Sequence, residues 1–461
     1  MTQEKVSDAV ASHIAGLSYE DLPPQTVKSA KYVLLDALGV MLAASGLSQE
    51  VRPFVDLVRA SGQGPCTILG TGYSSSPAGA ALANGAMAHA LDFEDAFDLA
   101  PGHPNASLVP SLIALAQMLE ANGRPVSGKE FLTALAAGGD LACRIALALD
   151  RPMEDGNWYP PPITAGMGAA AGAAKLLNLN ARGVRDSLSL ALCQVTMPGE
   201  IKYSRDTVLR AVREAFPAQS AVQSALLAET GITGFEHPLE GLGGFYALYA
   251  GGQYSSDRLL DRMGQFFWIE QLTFKPWPSC RGTHPFIEAA LALRDQVKKT
   301  DAITCIEVAI DPMQTMLVEP VQRKQAPGVI IDAKFSIPFC VALALVRGRV
   351  TLDDFSQTSL SDPDVLSVAR KVNYQVAPQP QWQRGSGGSM RVSLRNGKGL
   401  TANIDCARGA PSNPLTETEL IEKFVNCAGR AVQNLSVLQV ENIARSILSL
   451  EAVPSVSRLF S

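Results

Sequence analysis

Between positions 92 and 103 the chain carries Asp92, Glu94, Asp95, Asp98 and His103, four carboxylates and one imidazole. Pro101 and Gly102 precede His103 and Pro104 follows it, so the backbone of this histidine is pinned. An imidazole titrates near neutral pH, and one held beside carboxylates is raw material for general acid–base chemistry. The competing reading is a plain helix start, with Asn105 or Ser107 as cap.

Three other segments offer cations. Lys275 opens a proline-stiffened loop, Phe274-Lys275-Pro276-Trp277-Pro278, which continues through Ser279, Cys280 and Arg281 to His284. Lys202 and Arg205 lie in a second loop, and Arg210 sits just inside the helix expected after it. A small polycarboxylate needs two or three fixed cations, and arginine can grip a carboxylate with two parallel hydrogen bonds. The alternative for each is a solvated surface charge. Tyr159 closes a rigid aromatic loop that runs into Pro160, Pro161 and Pro162.

Other chemistries find no support. The eight cysteines are scattered without a Cys-x-x-Cys, and the five histidines form no His-x-x-x-His or His-Glu-x-x-His, so no metal site is expected. His13 and His89 read as structural histidines, and His237 sits in a Gly/Pro loop. The glycine runs at 241–244 and 385–388 match neither a phosphate loop nor a dinucleotide fingerprint, so no nucleotide cofactor is implied.

The elements that must position these groups are mostly helices. Of the 461 residues, 47% are hydrophobic and only 6% aromatic, with 38 glycines, a balance that suits closely packed helices. A net charge of -5 gives no basic field for nucleic acid. No run of eighteen apolar residues and no leader pattern is seen, so the expectation is a soluble, cytoplasmic protein without membrane partners.

Helical periodicity covers 5–17, 24–45, 49–60, 78–91, 107–119, 127–149, 166–177, 184–195 and one long stretch, 207–230. Ser127 and Glu130 have capping-box spacing, and the Gly/Ala-rich helix at 166–177 requires another backbone close by. Residues 66–70 read as a short extended piece. After residue 267 the texture becomes α+β: a helix at 285–297, a strand at 303–310, a helix at 337–347, then a hairpin at 389–394 and 400–404 turning on Asn396-Gly397. Residues 381–388 read as a surface loop, and the chain is helical again from Thr416. The expected class is mainly α, with domains at 1–267 (helical), 268–408 (smaller, α+β) and 409–461 (helices returning to the first).

Asn84-Gly85, the run His89-Ala90-Leu91-Asp92-Phe93-Glu94-Asp95 and Gly102-His103-Pro104 together resemble the MmgE/PrpD family. So do the Gly/Ala helix, residues 239–246, 275–284 and 333–338. That family includes 2-methylcitrate dehydratase, cis-aconitate decarboxylase and iminodisuccinate epimerase. The resemblance implies a large helical domain built from both chain ends with a smaller α+β domain inserted. It also implies a homodimer, a cleft site and no metal or organic cofactor. Asp92 and His103 match the family's acid–base segment, and Lys275 matches its substrate-binding lysine. The second lysine of the decarboxylase branch matches either Arg210 or Lys202. Tyr159 and Cys280 stand where that branch has histidines, and Ala96 where it has a threonine.

The chemistry implied is cofactor-independent proton abstraction α to a carboxylate on a small di- or tricarboxylic acid. His103 would be the acid–base group, Asp92 its orienting partner, Lys275 with Arg210 or Lys202 the charge stabilisers, and Tyr159 a second donor. Ser279, Cys280, Arg281 and His284 would line the substrate. Dehydratase-type elimination is the leading expectation. Epimerisation, decarboxylation, or a non-catalytic carboxylate-binding relative are the alternatives, the last motivated by Tyr159, Ala96 and Cys280.

Overall fold

The computed structural model describes residues 5–100, 102–204, 207–377 and 385–460. It is mostly helical with small sheets, and its chain divides into two compact units. The first comprises Met1–Ala90, Glu94–Leu272 and Thr416–Ser461; the second comprises Leu91–Phe93 and Thr273–Leu415. Arg205, Pro101 and residues 381–384 lie outside the described residues.

In the first unit, glycine and alanine set the helix spacing. The helix Pro160–Leu176 packs against Gly128–Leu147 with Gly168 facing Gly138. A Cβ on Gly138 would lie 2.7 Å from the carbonyl oxygen of Gly168, and one on Gly172 would lie 2.9 Å from that of Ala134. Nothing larger than glycine fits without parting the helices. The helix Gly128–Leu147 starts as its spacing predicts: Ser127 accepts from Glu130 N, while Glu130 accepts from Ser127 N at 2.9 Å.

The C-terminal helices belong to this unit. Lys423, on Glu417–Ala428, pairs at 2.6 Å with Asp36 on Pro24–Leu47, and Phe424 packs against Gly39. Pro24–Leu47 is long and apolar enough to cross a membrane by length and composition. Its most apolar window is 78% buried inside the fold, and the ion-paired Asp36 is part of its buried face, as in a core helix.

Several elements differ from the sequence expectation. The helix expected at 166–177 starts at Pro160, because prolines without an N–H are tolerated in a first helical turn. Likewise Pro104 starts the helix Pro104–Ala121 ahead of the expected 107. The single helix expected over 207–230 is two, Leu209–Val212 and Ala215–Glu229. Pro217 is the cause: a continuous helix would need its N–H for the Arg213 carbonyl, so the helix restarts with Pro217 in its first turn. The extended piece at Cys66–Ile68 has a partner strand, Tyr73–Ser75, that alternation alone did not reveal.

The second unit holds a four-stranded sheet. Ile303–Ile310 pairs antiparallel with Gly388–Leu394, which pairs in turn with Gly399–Ile404. The expected hairpin is therefore present. A strand not anticipated, Val372–Val376, runs parallel to Ile303–Ile310 on its other side. The helices His284–Val297 and Ile337–Arg347 pack together, and Phe286, Val341, Ile306, Val308, Met390 and Val392 join them to one buried sheet face.

Candidate active site

The first unit builds its site from three helix ends. The helix Pro77–Ala90 carries His89 in its last turn. Asn84 fixes this helix by accepting from Leu69 N at 2.9 Å and donating to Thr67 O at 3.0 Å. Gly85 lets the restart of the later helix come close: a Cβ there would sit 2.7 Å from Glu214 O and 2.8 Å from Ala218 Cβ. That close approach puts Arg213 and Glu214 beside His89. His103 caps the third helix, Pro104–Ala121.

The side chains then connect in series. His103 Nδ1 lies 2.8 Å from Glu94 Oε1 and 2.8 Å from the carbonyl oxygen of Asp95. His89 Nδ1 meets the same Glu94 Oε1, and Arg213 Nη1 meets His89 Nε2. Arg213 Nε donates to Glu214 Oε1 at 3.1 Å, and Ser107 donates to Glu214 Oε2 at 2.6 Å. His89, Glu94, Arg213 and Glu214 are all fully buried, whereas the His103 side chain is 14% exposed.

Proton positions follow from what each group can do. Guanidinium only donates, so His89 Nε2 is an acceptor and its ring proton sits on Nδ1, donated to Glu94. Burial, then the Arg213 charge, pulls the pKa of His89 down to about 3, so the ring is neutral. His103 Nδ1 faces a carboxylate and a carbonyl, both acceptors, and therefore carries its proton there. The basic nitrogen of neutral His103 is Nε2, which makes no hydrogen bond among the described residues.

The donor atoms of His89, Glu94 and His103 lie within 4.8 Å of one another, a grouping with metal-ligand chemistry. It does not fit an ion, because Arg213 keeps the His89 proton on Nδ1, the atom that would have to bind it. Asp95 is buried next to this group, with Asn105 donating to its Oδ2 at 3.0 Å. Burial, reinforced by the Asp36 charge, pushes its carboxyl up to about 7.

The aromatic loop brings three cations onto one ring. Tyr159 N donates to Met197 O at 2.8 Å, and Gly199 N to Asn157 O at 2.7 Å, which ties this loop to the segment before Lys202. Lys202, Arg210 and Arg213 lie 5.3, 5.7 and 5.1 Å from the centre of the Tyr159 ring. Both candidates for the second cation, Lys202 and Arg210, are thus present together. The Tyr159 ring is nearly buried, and its hydroxyl has no hydrogen-bond partner among the described residues.

In the second unit, Lys275 is fully buried and donates to Asp92 Oδ1 at 2.6 Å and to Asp92 O at 3.0 Å. Lys334 donates to Leu91 O. Asp92 adopts a left-handed φ of 50°, and these ammonium groups hold that turn. Ser279 bonds Thr283 at 2.8 Å, and Arg281 donates to the carbonyls of Ala407 and Arg408 at 2.8 and 3.0 Å. His284 Nε2 lies 3.2 Å from Ser279 O, with its ring against Trp277. Cys280 is half-buried and donates its N–H to Lys334 O at 3.0 Å. Ser279 and His284 thus make bonds within the loop, and Arg281 ties it to the Ala407–Arg408 segment.

Glu94 Oε1 is the carboxylate oxygen at His103 Nδ1, while Oδ1 of Asp92, the orienting partner expected from the sequence, takes Lys275. His89, Arg213 and Glu214 were missed as site residues. The available signal was a histidine and a glutamate five positions apart across a helix end, beside an Arg-Glu dipeptide that interrupts a helix.

A carboxylate–imidazole pair that leaves Nε2 of a partly exposed histidine without a hydrogen bond among the described residues, with a three-cation aromatic cluster in the same unit, is an arrangement that can exchange protons and attract anions. Residues 8–257 match the profile of the MmgE/PrpD N-terminal domain, and residues 277–447 that of the MmgE/PrpD C-terminal domain. The chain belongs to the MmgE/PrpD family. It is 25% identical to the cis-aconitate decarboxylase-like protein oryM of Aspergillus oryzae, over 99% of this chain and 96% of that one. It is also 25% identical to the cis-aconitate decarboxylase of Homo sapiens, over 100% and 94% of the two chains. Its identity to the 2-methylcitrate dehydratase of Escherichia coli K12 is 26%, over 77% and 75%. These relatives are enzymes of carboxylic acid metabolism.

Proposed function

We propose that the protein is a cofactor-independent lyase that moves a proton on the carbon α to a carboxylate of a small di- or tricarboxylic acid. The observation that carries this reading is the His103–Glu94 contact, which leaves Nε2 as the basic nitrogen. Nε2 takes the proton from carbon, and the electron pair expels hydroxide from the adjacent carbon as water once a donor protonates it. Tyr159, whose hydroxyl is uncommitted among the described residues, supplies that donor. Lys202 and Arg210 stabilise the carboxylate as it acquires enediolate character, the step at which fixed charge acts most strongly. Lys275 fixes the Asp92 turn just before Glu94 in the chain.

A second reading is decarboxylation. It is favoured by the near full-length match to decarboxylase relatives, against 77% of this chain for the dehydratase. In that case the carbon–carboxylate bond breaks, CO2 leaves, and His103 as imidazolium returns a proton to carbon.

The test is incubation of the protein in D2O with citrate, 2-methylcitrate and cis-aconitate, followed by proton NMR. Alkene formation from a hydroxy acid supports elimination, and loss of a carboxyl with deuterium at carbon supports decarboxylation. No turnover or exchange on any of them would count against the enzyme reading.

A further inference from the structure

Six side chains close a ring in the first unit. His103 and Ser107 stand one turn apart at the start of Pro104–Ala121, and the series His103, Glu94, His89, Arg213, Glu214, Ser107 leaves that helix and returns to it. Only His103 among its histidine, acidic and arginine members reaches solvent. The proposed reaction uses His103 and Glu94; it gives no work to His89 or Arg213.

Their geometry supplies one. Glu94 Oε1 is shared by two imidazole Nδ1 atoms, whose ring centres lie 5.0 Å apart. A shared oxygen orients His103 only if the other ring stays neutral and keeps its proton on Nδ1. Were His89 to charge, it would draw the carboxylate to itself and set a cation beside His103. Were it to change tautomer, its lone pair would face the carboxylate. Within the first unit, the charged and titratable groups that act on His89 most strongly are Arg213, Glu94 and His103. Of these, Arg213 dictates the tautomer, because a guanidinium cannot accept a hydrogen bond. Glu214 and Ser107 hold the guanidinium in turn.

We propose that Arg213 and His89 are positioning residues acting in series: Arg213 locks His89 as the neutral Nδ1–H tautomer, and His89 holds Glu94 on His103. This deepens the acid–base reading of His103 and rests on it. Its test, however, reads protons on nitrogen and needs no turnover.

The experiment is two-bond proton–nitrogen correlation NMR on the full chain with labelled histidine, from pH 5 to 8. There are five histidines, so His89→Gln and His103→Gln assign the two signals. In the wild-type protein, His89 shows a proton on Nδ1 and does not titrate across this range. His103 shows the same tautomer when neutral. In Arg213→Met with Glu214→Gln, which avoids stranding a buried carboxylate, His89 titrates or changes tautomer. Where His89 becomes charged, the His103 midpoint falls by about one unit, the effect of a new like charge nearby. Gln at 89 keeps a donor and an acceptor but cannot titrate, so the same Arg213 substitution made with His89→Gln leaves the His103 midpoint in place.

A wild-type His89 that titrates, or that carries its proton on Nε2, overturns the lock, and this holds even if the Arg213 variants fail to fold. An equal shift of His103 in both backgrounds also overturns it. The expected spectra from a protein inert toward every polycarboxylate would instead refute the lyase reading and leave the lock standing.

Discussion

His103 Nδ1 rests 2.8 Å from Glu94 Oε1, which makes Glu94 the counter-charge for any proton that His103 accepts. A carboxylate in that place both aims the ring and stabilises its imidazolium form. Glu94→Gln keeps the shape and removes the charge. It is expected to lower kcat by about 10²-fold while KM changes little, measured on the best polycarboxylate substrate. Unchanged kcat would remove Glu94 from the chemistry.

The pair of Lys275 and Asp92 makes a different prediction. Both are fully buried, so removing one charge leaves the other desolvated without that partner. Lys275→Met should lower stability by about 3–5 kcal/mol, and adding Asp92→Asn should recover most of it. Denaturant unfolding of the single and double variants measures this. A stable Lys275→Met protein with lost turnover would instead mark Lys275 as acting on substrate.

Helix spacing can be tested at Gly85. Alanine there would press on Glu214 O at 2.7 Å and on Ala218 Cβ at 2.8 Å. The expected cost is about 1–3 kcal/mol, together with lower kcat because Arg213 is pushed off His89. Wild-type stability and turnover in Gly85→Ala would show that this close approach is not required.

Much of this framework was legible in the sequence. Small residues marked the tightly packed helices, Asn396-Gly397 marked the hairpin, and Gly102 with Pro104 marked His103 as a held histidine. What escaped was tertiary. His89 and Arg213 stand 124 positions apart, and their pairing depends on Gly85 admitting a backbone that local periodicity cannot reveal. Asp92 looked like the partner of His103 because spacing alone does not separate it from Glu94. The helix break before Ala215 follows from Pro217, yet the apolar pattern continues across it.

Asp95 gives a pH signature. Its carboxyl is raised to about 7, against about 4 in an unfolded chain. Between those values the native state holds a proton that the unfolded state has released, so stability falls as pH rises. The contribution is fully present below pH 4 and fully lost above 7, a change of about 4 kcal/mol at most. Asp95→Asn cannot titrate and can still accept from Asn105. Its stability relative to wild type should therefore be greater at pH 8 than at pH 4.5, as measured by thermal unfolding. Parallel curves would contradict this.

The cations around Tyr159 should act on binding. Arg210→Ala is expected to raise KM for a tricarboxylate by about 10- to 100-fold, the scale of a charged hydrogen bond. Lys202→Ala should have a smaller effect, since an ammonium cannot grip a carboxylate with two parallel bonds. Steady-state kinetics across di- and tricarboxylates would show this ranking, and unaltered KM in both variants would place the substrate elsewhere.

The most direct measurement compares wild type with His103→Gln for turnover and for deuterium uptake at carbon on that panel of acids. The account predicts that at least one acid reacts, and that the substitution slows it by about 10²–10⁴-fold with the fold intact. A His103→Gln protein that turns over at the wild-type rate would contradict it.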